Sequence, residues 1–344
     1  MDPASWMAVR RKLVANRYSL AVAAADEYPA DRQVSGTPLL APASWIPAEP
    51  VPLASIRLEF DADAVFTGVT GREAPLPAEF ATYAEAIRGM APPAVFEDRP
   101  TYRLTFADLA GAEPVLRFGR GTYFDSINTG EAAAHEYAAG VGGLRAAIGD
   151  PWDVTRRPTN VAISTLTIRA GDEPTFFLHW RDPAKVGHAG GLYQVVPVGI
   201  FQPSADAPEN EQNDFSLWRN VVRELAEELL GESEDYGDGP IDYDDWPFAA
   251  RLAAGLADGS VRAYCVGLGV DPLTFATDLL TVVSIDAPLF DDLFGAIVEA
   301  NDEGRVLAPQ PFTAEVVDTF VHHQPMQAAG AALLHLAFVH AAHL

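Results

Sequence analysis

Residues 223–228 read Arg-Glu-Leu-Ala-Glu-Glu. Successive residues of an α-helix advance by about 100° around its axis. With Arg223 at zero, Glu227 falls near ~40°, Glu224 near ~100° and Glu228 near ~140°. One arginine and three glutamates therefore share one side of a helix. The opposite side carries an apolar stripe of Trp218, Val221, Val222, Leu225 and Leu229. Crowded carboxylates repel one another unless a cation sits among them. Hard oxygen ligands select Mg²⁺ or Mn²⁺, and Mg²⁺ ordinarily combines a few carboxylates with waters and substrate phosphates. An adjacent arginine can fix one carboxylate through a bidentate pair. The competing reading is a solvated acidic face, since Glu is a good helix former and acidic runs on exposed helices are common.

These six positions resemble the core of the Nudix box, Arg-Glu-aliphatic-any-Glu-Glu, which sits on a helix packed against a mixed sheet. The resemblance implies a hydrolase of diphosphate linkages that depends on a divalent metal, Mg²⁺ or Mn²⁺. It makes Arg223 the residue that orients the next glutamate. Glu224 becomes a metal ligand or the base that activates water, and Glu227 and Glu228 become metal ligands. The chain departs from the full pattern. The upstream glutamate should fall eight residues before the arginine, where Phe215 stands beside Asp214. The opening glycine should fall at Glu209; Gly199 takes that part if residues 200–213 are an insertion. The closing glycine, Gly231, comes one residue late. The chain is also similar to a broader group of actinobacterial proteins, in which such a region is sometimes joined to a helix-turn-helix regulator domain. That likeness rests on Leu116–Asp125, Phe176–Ser204 and Asp214–Gly231.

The elements that must position this helix follow from hydrophobic period and punctuation. Val161–Arg169, Thr175–Trp180 and Leu192–Ile200 read as strands, with Pro197 at the end or edge of the third. Gln202–Asp214 reads as a loop and Phe215–Leu230 as the helix, with Asp214 as its N-cap and Gly231 as its stop. Asp235–Asp245 reads as an acidic loop. Val261–Val270 and Leu279–Ile285 read as strands, Pro288–Ala300 and Gln327–His343 as helices. Upstream, residues 4–25 read as one helix and the Pro-rich stretch 29–55 as extended chain. Ser55–Phe60, Tyr102–Phe106 and Pro114–Phe118 read as strands; Glu79–Arg88, Glu131–Ala139 and Val141–Ala147 read as helices. Strands and helices mix without regular βαβ alternation, so the expected class is α+β. In detail this is a Nudix-like α/β/α sandwich over residues 158–344, preceded by an N-terminal α/β extension over 1–157.

The chain of 344 residues carries 23 Lys+Arg against 48 Asp+Glu, a net charge of −25. Such a balance argues against direct nucleic-acid binding and against docking on anionic membranes. It leaves room for a small phosphorylated ligand, because a bound divalent cation reverses the local sign. Residues 206–245 hold 14 acids and two arginines, so −12 of the charge lies on and around one helix. His179, Arg181, Lys185 and His188 cluster in this acidic chain around a Gly-rich loop. With Tyr193 they form the expected substrate-binding set, an anion clamp for a diphosphate with an aromatic to stack on a base. A polar turn and a core tyrosine are the plainer alternatives.

Other signals are weaker. His135-Glu136 lacks the second histidine of a zincin motif, and Glu131 with His135 reads as helix surface. Gly119-Arg120-Gly121 reads as a turn, His322-His323 as a helix end, and Cys265 as inert core. A single cysteine excludes an internal disulfide, and no signal peptide is read, so a reducing, cytoplasmic setting is expected. The leading expectation is a hydrolase of a nucleoside diphosphate derivative or related metabolite. The alternatives are a catalytically degenerate Nudix-fold ligand-binding or regulatory module, and an enzyme acting on a prenyl or other specialised diphosphate. The expected partner is a small diphosphate-containing ligand, with a homodimer left open.

Overall fold

A computed structural model describes residues 1–72, 74–93, 96–181, 191–237, 239–295, 297 and 304–344, and for Arg181 and Gly304 the backbone alone. The chain opens with helices α1 (Pro3–Ala15) and α2 (Arg17–Ala25). Asp2 caps α1 by accepting from the Ser5 amide at 3.0 Å. The expected single helix breaks at Asn16, which leaves helical geometry. There follow β1 (Val51–Pro52), β2 (Arg57–Phe60), α3 (Tyr83–Met90), β3 (Pro100–Asp108), β4 (Val115–Thr122), α4 (Tyr123–Ser126), α5 (Ala132–Ala139) and α6 (Leu144–Ile148). Gly119–Gly121, expected as a turn, lies inside β4.

The second half runs β5 (Val161–Ala170), β6 (Thr175–Phe176), β7 (Leu178–Arg181), β8 (Tyr193–Val195), β9 (Val198–Ile200), α7 (Pro208–Asn213), α8 (Leu217–Leu225), α9 (Pro247–Asp258), β10 (Val261–Val270), β11 (Thr277–Asp286), α10 (Ala287–Leu293), β12 (Gly304–Val306), β13 (Gln310–Pro311), α11 (Ala314–Asp318) and α12 (Ala328–Val339). The expected third strand is two pieces, β8 and β9, parted at Pro197, whose bond to Val196 is cis. The loop expected at 202–214 contains α7.

The result is an α+β fold with a mixed main sheet in the order β1-β10-β11-β5-β6-β13, and β9 beside β5. β5 and β11 run parallel from Val161↔Thr277 to Ala170↔Asp286, while β10 and β9 lie antiparallel to their neighbours. β5 is rich in Val, Ile, Leu and Thr and largely buried, as expected of a strand covered on both sides. α8 packs on β5 and β9; α12 packs on β5, β10 and β11. Two three-stranded sheets, β12-β7-β8 and β2-β4-β3, flank it.

One apolar core runs from Trp6 to Ala337 and crosses the boundary expected at 157/158. β1 pairs with β10, Leu40 exchanges backbone hydrogen bonds with Val270, and Tyr102 donates its amide to the Phe201 carbonyl at 3.1 Å. The ionisable residues at and just before α5 are core rather than surface: Glu131, His135 and Glu136 are all buried. Glu131 accepts from Arg10 at 2.6 Å and from Arg17 at 2.8 and 3.0 Å. His135 shares a 3.1 Å hydrogen bond with the Tyr83 hydroxyl and stacks on Trp6. Burial, with Arg10 nearby and Glu131 partly opposing, depresses the His135 imidazole to about 4. Among the described residues, no helix is long and apolar enough to cross a membrane.

Asp278 is the least satisfied acid of the sheet. One carboxyl oxygen accepts from Ser164 at 2.8 Å; the other, buried, has no hydrogen-bond partner among the described residues. Burial pushes its pKa up to about 7; the Ser164 hydroxyl opposes the rise and Asp271 adds to it. In the unfolded chain the carboxyl titrates near the ordinary 3.8. Between these values the unfolded chain releases a proton that the folded chain keeps, so stability falls as pH rises through that window and stays low above it. Asp278→Asn should remove this fall, on the order of 4 kcal/mol at most. Thermal unfolding at pH 4 and pH 8 checks it: the gain of the variant over wild type must be larger at pH 8, and an equal gain at both refutes it.

Candidate functional site

α8 buries Leu217, Val221, Val222 and Leu225 against the sheet. Its N-cap is Ser216, which accepts from the Arg219 amide at 3.4 Å; Asp214, expected in that role, does something else. The helix continues through a π-helical turn, Ala226–Leu230, and ends at Gly231, whose φ of 70° is left-handed and favours glycine.

Arg223 and Asp214 form a buried ion pair at 3.4 Å. The guanidinium also donates to the Tyr243 hydroxyl at 3.1 Å, the Gln202 carbonyl at 2.7 Å and Asn220 at 3.3 Å. Asp214 accepts from the Ser204 amide and hydroxyl at 2.8 and 2.6 Å and from Tyr243 at 2.9 Å. Burial alone lowers the basicity of Arg223, but Tyr243 and Asp214 outweigh it and the net shift is upward. Among the described residues Arg223 makes no hydrogen bond to Glu224, so the orienting contact expected between them is replaced by the pair with Asp214.

Two of the three glutamates, Glu224 and Glu228, meet β9, and Glu227 meets the loop after the helix. Glu224 is half-buried and accepts no hydrogen bond from a described residue. Its carboxyl lies over Gly199, where a Cβ would sit 1.7 Å from Oε1; only glycine admits this approach. Its pKa stands well above the ordinary value, first through burial and then through the charges of Glu227 and Glu228. Glu227 accepts from the Tyr236 hydroxyl at 2.9 Å. Its pKa is raised by burial, against the pull of Tyr236 and Arg99. Glu228 is buried, accepts from the Val198 amide at 2.6 Å and lies 3.6 Å from His179 Nδ1. Beyond Tyr236 opens a cleft of about 550 Å³ lined by Glu232, Asp235, Tyr236, Asp242 and Trp246, among others.

The expected anion clamp is not assembled from the described residues. Lys185, His188 and the Arg181 side chain lie outside them. His179 is buried against Glu228. Tyr193 pairs across the strands with Trp180, one residue from His179, so its side chain leaves the opposite face; its ring meets Phe320 edge-on at 5.6 Å. Phe177 and Phe201 are core, the first stacked on Phe290. His322 and His323 close a helix, as expected.

Sequence reasoning missed Asp214 as the partner of Arg223, along with Tyr236, Tyr243 and Arg99. Asp214 did carry a signal, being one residue from the position where an acid was expected. The tyrosines sit in an irregular acidic loop that has no period to read.

The site presents three carboxylates, one of which, Glu224, accepts no hydrogen bond from a described residue and has its pKa raised by burial and by the charges of Glu227 and Glu228. Among the described residues no three His, Cys, Asp or Glu side chains are drawn close enough to hold a metal ion as they stand. The chain matches no family model and no curated protein.

The buried pair sets an energetic test. Asp214→Ala leaves an uncompensated guanidinium in the interior and should cost about 3 kcal/mol or more; Asp214→Asn, which keeps an acceptor, should cost less. Urea unfolding monitored by tryptophan fluorescence measures both, and an unchanged midpoint for Asp214→Ala would contradict the assignment.

Proposed function

We propose that the chain is a divalent-metal-dependent hydrolase of a diphosphate linkage, with a Nudix-like arrangement of the carboxylate helix. The substrate would be a nucleoside diphosphate derivative or a related metabolite. The observation that carries this reading is the Glu224 carboxyl, which accepts no hydrogen bond from a described residue and is crowded by Glu227 and Glu228. Mg²⁺ or Mn²⁺ bound by Glu224, Glu227 and Glu228 would neutralise the phosphates and polarise the phosphoryl group. Glu224 is also the carboxylate able to accept a proton from the attacking water. Water adds to phosphorus, the bridging P–O bond breaks, and the bridging oxygen leaves with the second phosphate. Asp214 beside Arg223 supplies an acid close to where the motif's upstream glutamate is absent, which favours catalysis over a degenerate box.

A binding-only module is the second reading, and one observation favours it. Glu227 and Glu228 already accept hydrogen bonds from Tyr236 and Val198, so two of the three carboxylates are partly satisfied by the fold itself. An aliphatic prenyl substrate receives less support, because the neighbouring cleft is largely acidic and aromatic.

The test is phosphate and nucleotide release from NAD, ADP-ribose, nucleoside triphosphates, nucleotide sugars and prenyl diphosphates with Mg²⁺ or Mn²⁺. Turnover should vanish with EDTA. Glu227→Gln and Glu228→Gln should each lower it by roughly a hundredfold or more, with unchanged circular dichroism. Variants that hydrolyse as fast as wild type would sink the site assignment; tight binding without release would favour the module.

A further inference from the structure

A diphosphate brought beside three carboxylates is bound more strongly when the protein adds a cation to the metal. Arg223 cannot supply it, since its guanidinium is buried and tied to Asp214, Tyr243, Gln202 and Asn220. His179 is buried against Glu228. Arg99, far upstream in the chain, is differently placed. Its side chain is 40% exposed and pairs at 3.6 Å with Glu234, just past the end of the carboxylate helix. Glu234 lies within electrostatic reach of both Glu224 and Glu227, and Arg99 itself within reach of Glu227. The backbone beneath Arg99 is anchored. Its carbonyl accepts from the Tyr123 amide at 2.9 Å, the Asp98 carboxylate accepts from the Phe124 amide at 2.8 Å, and β3 begins at the next residue. The guanidinium is thus a long, solvated arm on a fixed base. Its present contacts, 3.4 Å to Glu97 and 3.6 Å to Glu234, are loose and exposed, the kind that contribute little and exchange readily.

We propose that Arg99 is the substrate-phosphate arginine of this site, held by Glu234 at rest and passing to a diphosphate oxygen when ligand binds beside Glu224, Glu227 and Glu228. A planar guanidinium suits two phosphate oxygens at once and binds them more strongly than it binds one exposed carboxylate. Glu234 is then a positioning residue that keeps the arm near the site and competes with the ligand. The site is completed by the N-terminal half of the chain. This rests on the reading of the glutamates as a metal site.

The experiment uses the full chain, Mn²⁺ and ADP, in two calorimetric titrations: Mn²⁺ alone, then ADP in saturating Mn²⁺. Arg99→Ala should weaken ADP about tenfold and leave Mn²⁺ affinity and melting temperature unchanged. Arg99→Lys should recover part of the loss. Glu234→Gln should bind ADP at least as tightly as wild type. The difference between wild type and Arg99→Ala should shrink at high ionic strength. Undiminished ADP binding by Arg99→Ala overturns the proposal. So does a loss in Glu234→Gln equal to that in Arg99→Ala, which would make the pair a structural tie. Wild type that binds Mn²⁺ but not ADP overturns the arginine's role alone, whereas failure to bind Mn²⁺ overturns the metal site and the proposal with it.

Discussion

The buried charge of Arg223 constrains everything around it. A guanidinium taken out of water must find a counter-charge and acceptors for its hydrogens, or the fold loses several kcal/mol. Here those partners come from separate segments: Gln202 and Asp214 from the stretch before α8, Tyr243 from the loop after it, and Asn220 from α8 itself. Asp214 in turn gathers Ser204 and Tyr243. Satisfying one cation therefore fixes where two irregular loops run relative to one helix. Ser216, two residues after Asp214, takes the cap and leaves Asp214 for the pair.

With the helix locked on that side, its next face has no freedom. Glu224 and Glu228 meet β9. The strand accommodates them with an amide from Val198 for one and an absent side chain at Gly199 for another. The helix thus carries two kinds of charge. Arg223 is compensated inside the protein and costs little to keep. The glutamates are compensated only in part, and burial together with mutual repulsion drives the Glu224 carboxyl toward its protonated form. Such a group is stabilised by a proton or by a nearby positive charge.

The sequence made the helix and its charged face legible because both follow from a single period of about 3.6 residues. The strands β5, β10 and β11 were legible for the same kind of reason, segments rich in β-branched and aliphatic residues. What resisted reading depends on distance. Asp214 stood next to the expected position, yet only the path of the 202–214 stretch decides that it turns toward Arg223. Helix α7 lies inside what reads as a polar, Pro-containing loop, since Pro208 begins a helix as readily as it ends one. Glu131 and His135 looked like surface because ionisable side chains on a helix are usually solvated. Arg10 and Arg17, more than a hundred residues earlier, make that polarity internal.

The N-terminal half is part of the same machine rather than a preface to it. Arg120 grips Glu211 with two bonds, at 2.7 and 2.8 Å, and the Tyr102 hydroxyl donates to the Glu211 carbonyl at 2.7 Å. Glu211 lies in α7, three residues before Asp214. Tyr102, Phe118 and Phe201 pack with Phe215, which sits between Asp214 and the start of α8. The sheet β2-β4-β3 therefore holds the 202–214 stretch that carries the counter-charge of Arg223. Without that buttress the 202–214 stretch would have to order itself at the full entropic cost of a long loop. With it, an acid from an extended connection stands in place as firmly as one from a helix. That is why residues far upstream, which carry none of the carboxylates, still help fix the acid that pairs with Arg223 on the carboxylate helix.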